Sequence, residues 1–132
     1  MSRKELREHI FRMLFRIEFN SEEEMKEQEA FYFDELEEAT GKDQEYILEK
    51  YRAIVAKKEE IDTLLNTVAE GWKTSRMNRV DLTILRLATF EAKWDEDVPV
   101  GVAINEAVEL AKKYSSDEGP SFVNGILAKV VN

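Results

Sequence analysis

Arg3, Lys4 and Arg7 stand close together at the start of the chain, and Lys112, Lys113, Tyr114 and Phe122 flank a short polar stretch near its end. Ammonium and guanidinium groups neutralise phosphate, and the planar guanidinium matches two phosphate oxygens at once. An aromatic ring beside such cations offers a face on which an unstacked base can rest. These residue types are therefore the parts of a nucleic-acid contact. Positions i and i+4 share a helix face, so Arg3 and Arg7 project together, in line with Phe11. Cations at a helix N-terminus oppose the helix dipole by about 0.3–1 kcal/mol, a cost that bound phosphate would offset. The plain alternative is a solvated helix end. For Lys112 and Lys113 it is favourable placement in a last helical turn, and for Phe122 and Tyr114 it is packing under a loop. Arg12 and Arg16 fall on the other side of the first helix and read as solvated surface.

Other chemistries find few parts here. The chain has no cysteine, which removes disulfides, thiolate nucleophiles and cysteine metal sites together. His9 is the one histidine; no Glu-x-x-His occurs, so a di-iron carboxylate bundle has no ligand set. There is no glycine-rich phosphate loop. These absences point away from an enzyme and from a bound cofactor. No apolar run reaches bilayer-spanning length and no uninterrupted apolar segment opens the chain, so a cytoplasmic protein without a membrane role is expected.

The net charge of -9 argues against a nucleic-acid partner only if it is spread evenly. It is not. Residues 22–38 hold nine carboxylates against Lys26 alone, whereas residues 1–16 hold five cations against Glu5 and Glu8. The acidic run offers no spacing that singles out a metal cage and reads as a solvated helix face.

The elements that must position these residues are helical. No period-2 strand pattern of useful length occurs. Ser2-x-x-Glu5 is a capping box that starts a first helix. Leu6, Ile10, Met13, Leu14 and Ile17 then form its apolar stripe, widened by Phe11, Phe15 and Phe19. A second helix is expected over about 24–39, with Phe31, Phe33 and Leu36 inward and Gly41 as its stop. Residues 43–72 carry a long helical pattern from Ile47 to Trp72, interrupted at Lys57-Lys58-Glu59-Glu60, which predicts two helices or one bent helix, with Gly71 near the end. From about Asn78 to Trp94 the pattern is apolar almost all round, the mark of a central helix. Pro99 and Pro120 mark two further helix starts, because proline is tolerated in a first turn and breaks an interior. The reading is all-α, about seven helices in a single compact domain over residues 1–132.

Several blocks now in view resemble the NusB family of bacterial transcription antitermination factors. Ile61-Asp62-x-x-Leu65, Trp72-x-x-x-Arg76 and Val80-Asp81-x-x-Ile84-Leu85-Arg86-Leu87-Ala88-x-Phe90-Glu91 are similar to the family's middle block. Val102-Ala103-Ile104-Asn105-Glu106-Ala107-Val108-Glu109-Leu110-Ala111-Lys112 and Phe122-Val123-Asn124-Gly125 are similar to its C-terminal block. Arg3-Lys4-x-x-Arg7-Glu8 followed by Leu14-Phe15 resembles its basic first helix. The resemblance implies two packed three-helix bundles with an extra helix, and a binding protein, not an enzyme. It implies boxA RNA of nascent ribosomal transcripts as ligand, the small-subunit ribosomal protein NusE as partner, and other Nus factors with RNA polymerase in the full assembly. Monomeric or homodimeric states are both compatible with it.

On this reading Arg3, Lys4, Arg7, Lys112, Lys113 and Phe122 are the candidate RNA contacts, and Asp81 is a candidate contact for the protein partner. Asp81 also reads as a first-turn acid of its own helix. Arg86, inside an apolar helix, needs a carboxylate partner, for which Glu106 and Glu109 are the candidates. Asn105 and Asn124 are expected in the core, bonded to backbone, with Gly125 at a close helix approach. A helical protein–protein adaptor with weak or no RNA binding is the alternative, favoured by the overall acidity. The helical domain of ribosomal RNA methyltransferases shares the fold, but no α/β domain follows here.

Overall fold

The computed structural model describes residues 1–36 and 39–132. Glu37 and Glu38, and with them the expected end of the second helix, lie outside the described residues. Among those residues the regular structure is all helical: α1 (Arg3–Arg16), α2 (Glu22–Glu35), α3 (Gly41–Ala56), α4 (Lys58–Val68), α5 (Arg79–Trp94), α6 (Val100–Tyr114) and α7 (Gly119–Val131), with a single 3₁₀ turn at Thr74–Arg76. Their contacts divide the chain into two units, Met1–Val55 and Ala56–Asn132.

In the first unit, local chemistry sets the helix starts. The Ser2 hydroxyl accepts from the Glu5 N–H while the Glu5 carboxylate accepts from the Ser2 N–H. That reciprocal bond holds the Glu5 carboxyl below its ordinary range. Ser21 and Glu24 repeat the arrangement at α2. Thr40 and Asp43 repeat it at α3, so Gly41 opens a helix where the sequence suggested that it closes one. Ile10, Met13 and Leu14 of α1 are buried, as are Ile47, Tyr51 and Ile54 of α3.

The inward face of α2 differs from the expected one. Met25 and Tyr32 are buried, while Phe31 is 60% exposed and Phe33 and Leu36 are half-buried. The reason is polar. The Tyr32 hydroxyl bonds His9 Nδ1, and the Arg16 guanidinium lies over the Tyr32 ring at 4.8 Å. Arg16 Nη1 also donates to Gln28 Oε1 at 3.2 Å. An amphipathic tyrosine meets these groups; a phenylalanine one position round the helix does not. Burial, with Arg12 nearby, holds the His9 imidazole below its usual range. Arg12 is exposed and pairs with Glu8 one turn away, as solvated surface should. Arg16, expected to be solvated too, is instead a clamp between α1 and α2.

In the second unit α5 is the axis. Its residues 81–91 are all buried, and it packs against α4, α6 and α7. Asn78 caps it, its side-chain oxygen accepting from the Val80 and Asp81 N–H groups. The interrupted pattern before it resolves into α3 and α4, broken at Lys57. Pro99 caps α6 and Pro120 lies in the first turn of α7.

The partner of Arg86 is Asp62 of α4, not Glu106 or Glu109. Nε and Nη2 donate to the two carboxylate oxygens, each at 2.9 Å. Asp62 is the fifth residue of α4 and faces α5 because Ile61 and Leu65 on either side of it are fully buried. The fork geometry satisfies both oxygens of the carboxylate. Asp62→Ala should cost roughly 2–4 kcal/mol by removing the bidentate carboxylate from a buried guanidinium. Asp62→Ala combined with Arg86→Met should recover most of that loss in urea melts. Equal midpoints for Asp62→Ala and the unchanged protein would remove the pair from the core account.

Candidate nucleic-acid interface

Each unit exposes one group of the cations singled out above. In the first, the N-terminal ammonium bonds Asp43 Oδ2 of α3 at 3.2 Å, with the Met1 side chain nearly covered. This anchors the start of α1. Arg3 and Lys4 in its first turn are exposed, and the Arg3 guanidinium lies 5.7 Å from the Tyr46 ring centre. Arg7 does not join them at the surface. It is 6% exposed, because its line continues into buried Phe11 and Leu14 and the apolar stripe begins a turn earlier than the basic motif suggests. Arg7 also makes an interaction of its own within the chain. The expectation that Arg3 and Arg7 present one common cationic face is therefore corrected: Arg3 and Lys4 present it, and Arg7 supports the helix beneath.

In the second unit, α6 ends at Lys112, Lys113 and Tyr114, and α7 begins at Gly119 after a four-residue connection. Lys112 and Lys113 are exposed; Tyr114 and Phe122 are half-buried. Lys112 Nζ bonds Glu109 Oε1 at 3.2 Å, and Lys113 Nζ lies 5.4 Å from the Tyr114 ring centre. Phe122 is neither wholly core nor wholly free. Its ring meets the edge of Trp72, centroids 5.9 Å apart at 72°.

Trp72 is a residue the sequence reading misplaced. It is 56% exposed because the chain leaves α4 at Val68 and turns through Gly71, whose φ of +76° only glycine adopts without strain. The Trp72 N–H then bonds Ala69 O at 2.8 Å, and the Thr74 N–H bonds Asn66 Oδ1 at 2.8 Å. The glycine was the available signal: an apolar residue after it no longer belongs to the helix stripe. Lys73, Arg76 and Arg79 follow, all exposed, with no acid between them. An aromatic pair flanked by cations is the arrangement that stacking on a base requires.

The turn that carries this patch is fastened to α5. Asp81 is 6% exposed, and its Oδ1 accepts from the Ser115 hydroxyl at the end of α6. Gly119 is packed against the same pair: a Cβ there would lie 2.1 Å from Ser115 Oγ and 3.2 Å from Asp81 Oδ1. Asp81 was a candidate contact for a protein partner. Its burial makes it a positioning residue for the α6–α7 turn.

Asn105 and Asn124 are also corrected. Both are exposed, not in the core. With Val108, Glu109, Lys112, Pro120 and Ser121 they line an open groove of about 530 Å³ between α6 and α7. Gly125 is exposed with open space around it, so no close helix approach explains it. Among the described residues no cluster of three metal-ligating side chains occurs and no helix is long and apolar enough to cross a membrane.

Comparison with known proteins now bears on these patches. A family model described as the NusB family matches residues 4–132. The transcription antitermination protein NusB of Lachnoclostridium phytofermentans is 58% identical over 132 residues, all of both chains. Among solved structures, NusB of T. maritima is similar with a TM-score of 0.87 and 34% identity, over 99% of this chain and 91% of that one. A structure of the antitermination factors NusB and NusE in complex with double-stranded RNA shares the fold, with a TM-score of 0.83 and 24% identity over 98% of this chain and 95% of that one.

Arg7→Ala should lower the urea midpoint by an amount equivalent to about 2 kcal/mol or more, as removal of a buried, interacting arginine does. An unchanged midpoint would return Arg7 to the surface as a ligand contact.

Proposed function

The chain belongs to the NusB family, and from that premise we propose that it is a transcription antitermination factor whose two exposed cationic patches hold boxA RNA of nascent ribosomal transcripts. Residues 1–132 act as one RNA-binding domain in this reading. Arg3 and Lys4 on the first unit take phosphates, and Lys112 and Lys113 on the second take others. Phe122, with Trp72 against its edge, supplies the ring surface for a base. Arg7 holds α1 in place, and Asp81 holds the α6–α7 turn through Ser115.

The observation that carries the reading is the exposure of four cations on helix ends in a protein of net charge -9. The carboxylates that set that charge are concentrated on α2, most of them solvated. Field complementarity to a polyanion is thus local. The solved relative that was crystallised with NusE and RNA supports the ribosomal protein NusE as the partner here, with other Nus factors and RNA polymerase joining in the complete assembly. A nascent transcript places this activity in the cytoplasm. The curated relatives are transcription antitermination proteins, and in this reading the patches act as binding surfaces, not catalytic centres.

Fluorescence anisotropy with a boxA-containing oligonucleotide across a salt series tests the reading, with and without the ribosomal partner. If four cations neutralise phosphates of a single strand, log K should fall with log salt at a slope of about -2.8. Arg3→Ala with Lys4→Ala should reduce that slope to about -1.4. A response to salt that is flat in the unchanged protein would favour the adaptor alternative, in which the chain binds the ribosomal protein and leaves RNA alone.

A further inference from the structure

We propose that the groove between α6 and α7 is a base-reading subsite, in which the carboxamides of Asn105 and Asn124 hydrogen-bond the edge of one unpaired RNA base. The proposal rests on the RNA-binding reading above and extends it from phosphate contact to sequence recognition.

Helix chemistry offers no reason for these asparagines. Asparagine is a weak helix former, because its amide competes for backbone groups. Asn105 lies in the middle of α6 and Asn124 in the middle of α7, both exposed and both lining the same groove. Neither caps a helix. On α6, Asn105, Glu109 and Lys112 follow one another at helical spacing along one wall; on α7, Ser121 and Asn124 form the other. The groove is about 530 Å³ and open to solvent, so a base would lie along it and stay partly exposed.

Charge decides what fits. Lys112 Nζ is 3.2 Å from Glu109 Oε1, so the only cation lining the groove is matched by a carboxylate lining it too. A phosphate drawn into the groove itself would meet that carboxylate. A neutral base edge meets two carboxamides and a serine hydroxyl, each able both to donate and to accept. A carboxamide can bond the adjacent donor and acceptor of an adenine edge with two hydrogen bonds, and Glu109 can accept from an exocyclic amine. Single-stranded RNA presents such edges unpaired. Val108 and Pro120 supply the apolar lining against which the flat of a base can lie. Lys112 belongs both to this groove and to the patch proposed for phosphate, so the groove continues the RNA surface.

The test compares Asn105→Ala, Asn124→Ala and the double variant of the full chain. Binding is measured by anisotropy on a boxA-containing RNA and on a scrambled RNA of equal length, with and without the ribosomal partner. The double variant should lose roughly tenfold or more in affinity for boxA RNA, change less than twofold on the scrambled RNA, and keep the salt slope of the unchanged protein. Its Tm should hold or rise, since alanine favours helix at both positions. Retained discrimination between the two RNAs would overturn the proposal alone. So would an equal loss on both with a shallower salt slope, which marks a phosphate contact, a fall in Tm, which marks a structural role, or lost affinity for the ribosomal protein with RNA binding intact, which marks a peptide groove. If the unchanged protein binds neither RNA, the RNA-binding reading fails and takes this one with it.

Discussion

The burial of residues 81–91 of α5 on every side is the constraint around which the second unit is organised. A helix buried on every side carries polar residues at a cost unless a group answers them; the Thr89 hydroxyl is buried without a hydrogen-bond partner, but others are answered. Arg86 is answered by Asp62 on α4, Asp81 by Ser115 at the end of α6, and Thr83 by the carbonyl of Arg79 one turn back. Apolar packing alone would let α4 and α6 slide or rotate at little cost, because it is non-directional. The ion pair and the hydroxyl bond are directional, and each fixes one neighbour at one height along α5. A buried pair of this kind is a poor source of net stability against an apolar replacement; its contribution here is to set the register of the helices around it.

That register determines what the outer surface offers. With Ser115 tied to Asp81 and Gly119 packed against both, the four-residue connection between α6 and α7 has a fixed path. The end of α6 then holds Lys112 and Lys113 in water, and the start of α7 sets Phe122 against the edge of Trp72. The first unit does the same with other means: an N-terminal ammonium on Asp43 and a capping box at Ser2 hold Arg3 and Lys4 out from the end of α1. In both places the cations proposed to bind sit at helix ends, fastened by polar groups: exposed ones at Ser2 and Glu5 in the first unit, the buried Asp81 with Ser115 in the second.

Much of this was legible from residue pattern. Both prolines, the capping box at Ser2 and the all-round apolar stretch after Asn78 located four helix starts and the central helix. The family blocks located the fold and the exposed lysines. What was not legible has a common cause: burial of a polar side chain is decided by its partner across the fold, and periodicity along one helix does not report the partner. Arg7 looked exposed because it is charged, yet the apolar stripe of α1 runs through it. Tyr32 displaced Phe31 from the inward face because His9 and Arg16 were waiting for a hydroxyl and a ring. Asp62 took Arg86 from the two glutamates on α6. Asn105 and Asn124 erred in the opposite direction, placed in the core as polar residues within apolar blocks but standing in the open groove. Trp72 was assigned to a helix that Gly71 had already ended.

The central claim is that each unit presents its proposed RNA contacts preformed, the second unit on the frame built about α5. Titration of isotope-labelled protein with a boxA-containing RNA, followed by amide and indole chemical shifts, tests it most directly. The account predicts that the largest shifts fall at Arg3, Lys4, Lys112, Lys113, Phe122 and the Trp72 indole, while residues 82–88 of α5 stay unmoved. Shifts concentrated on the acidic face of α2, or running through α5, would contradict it.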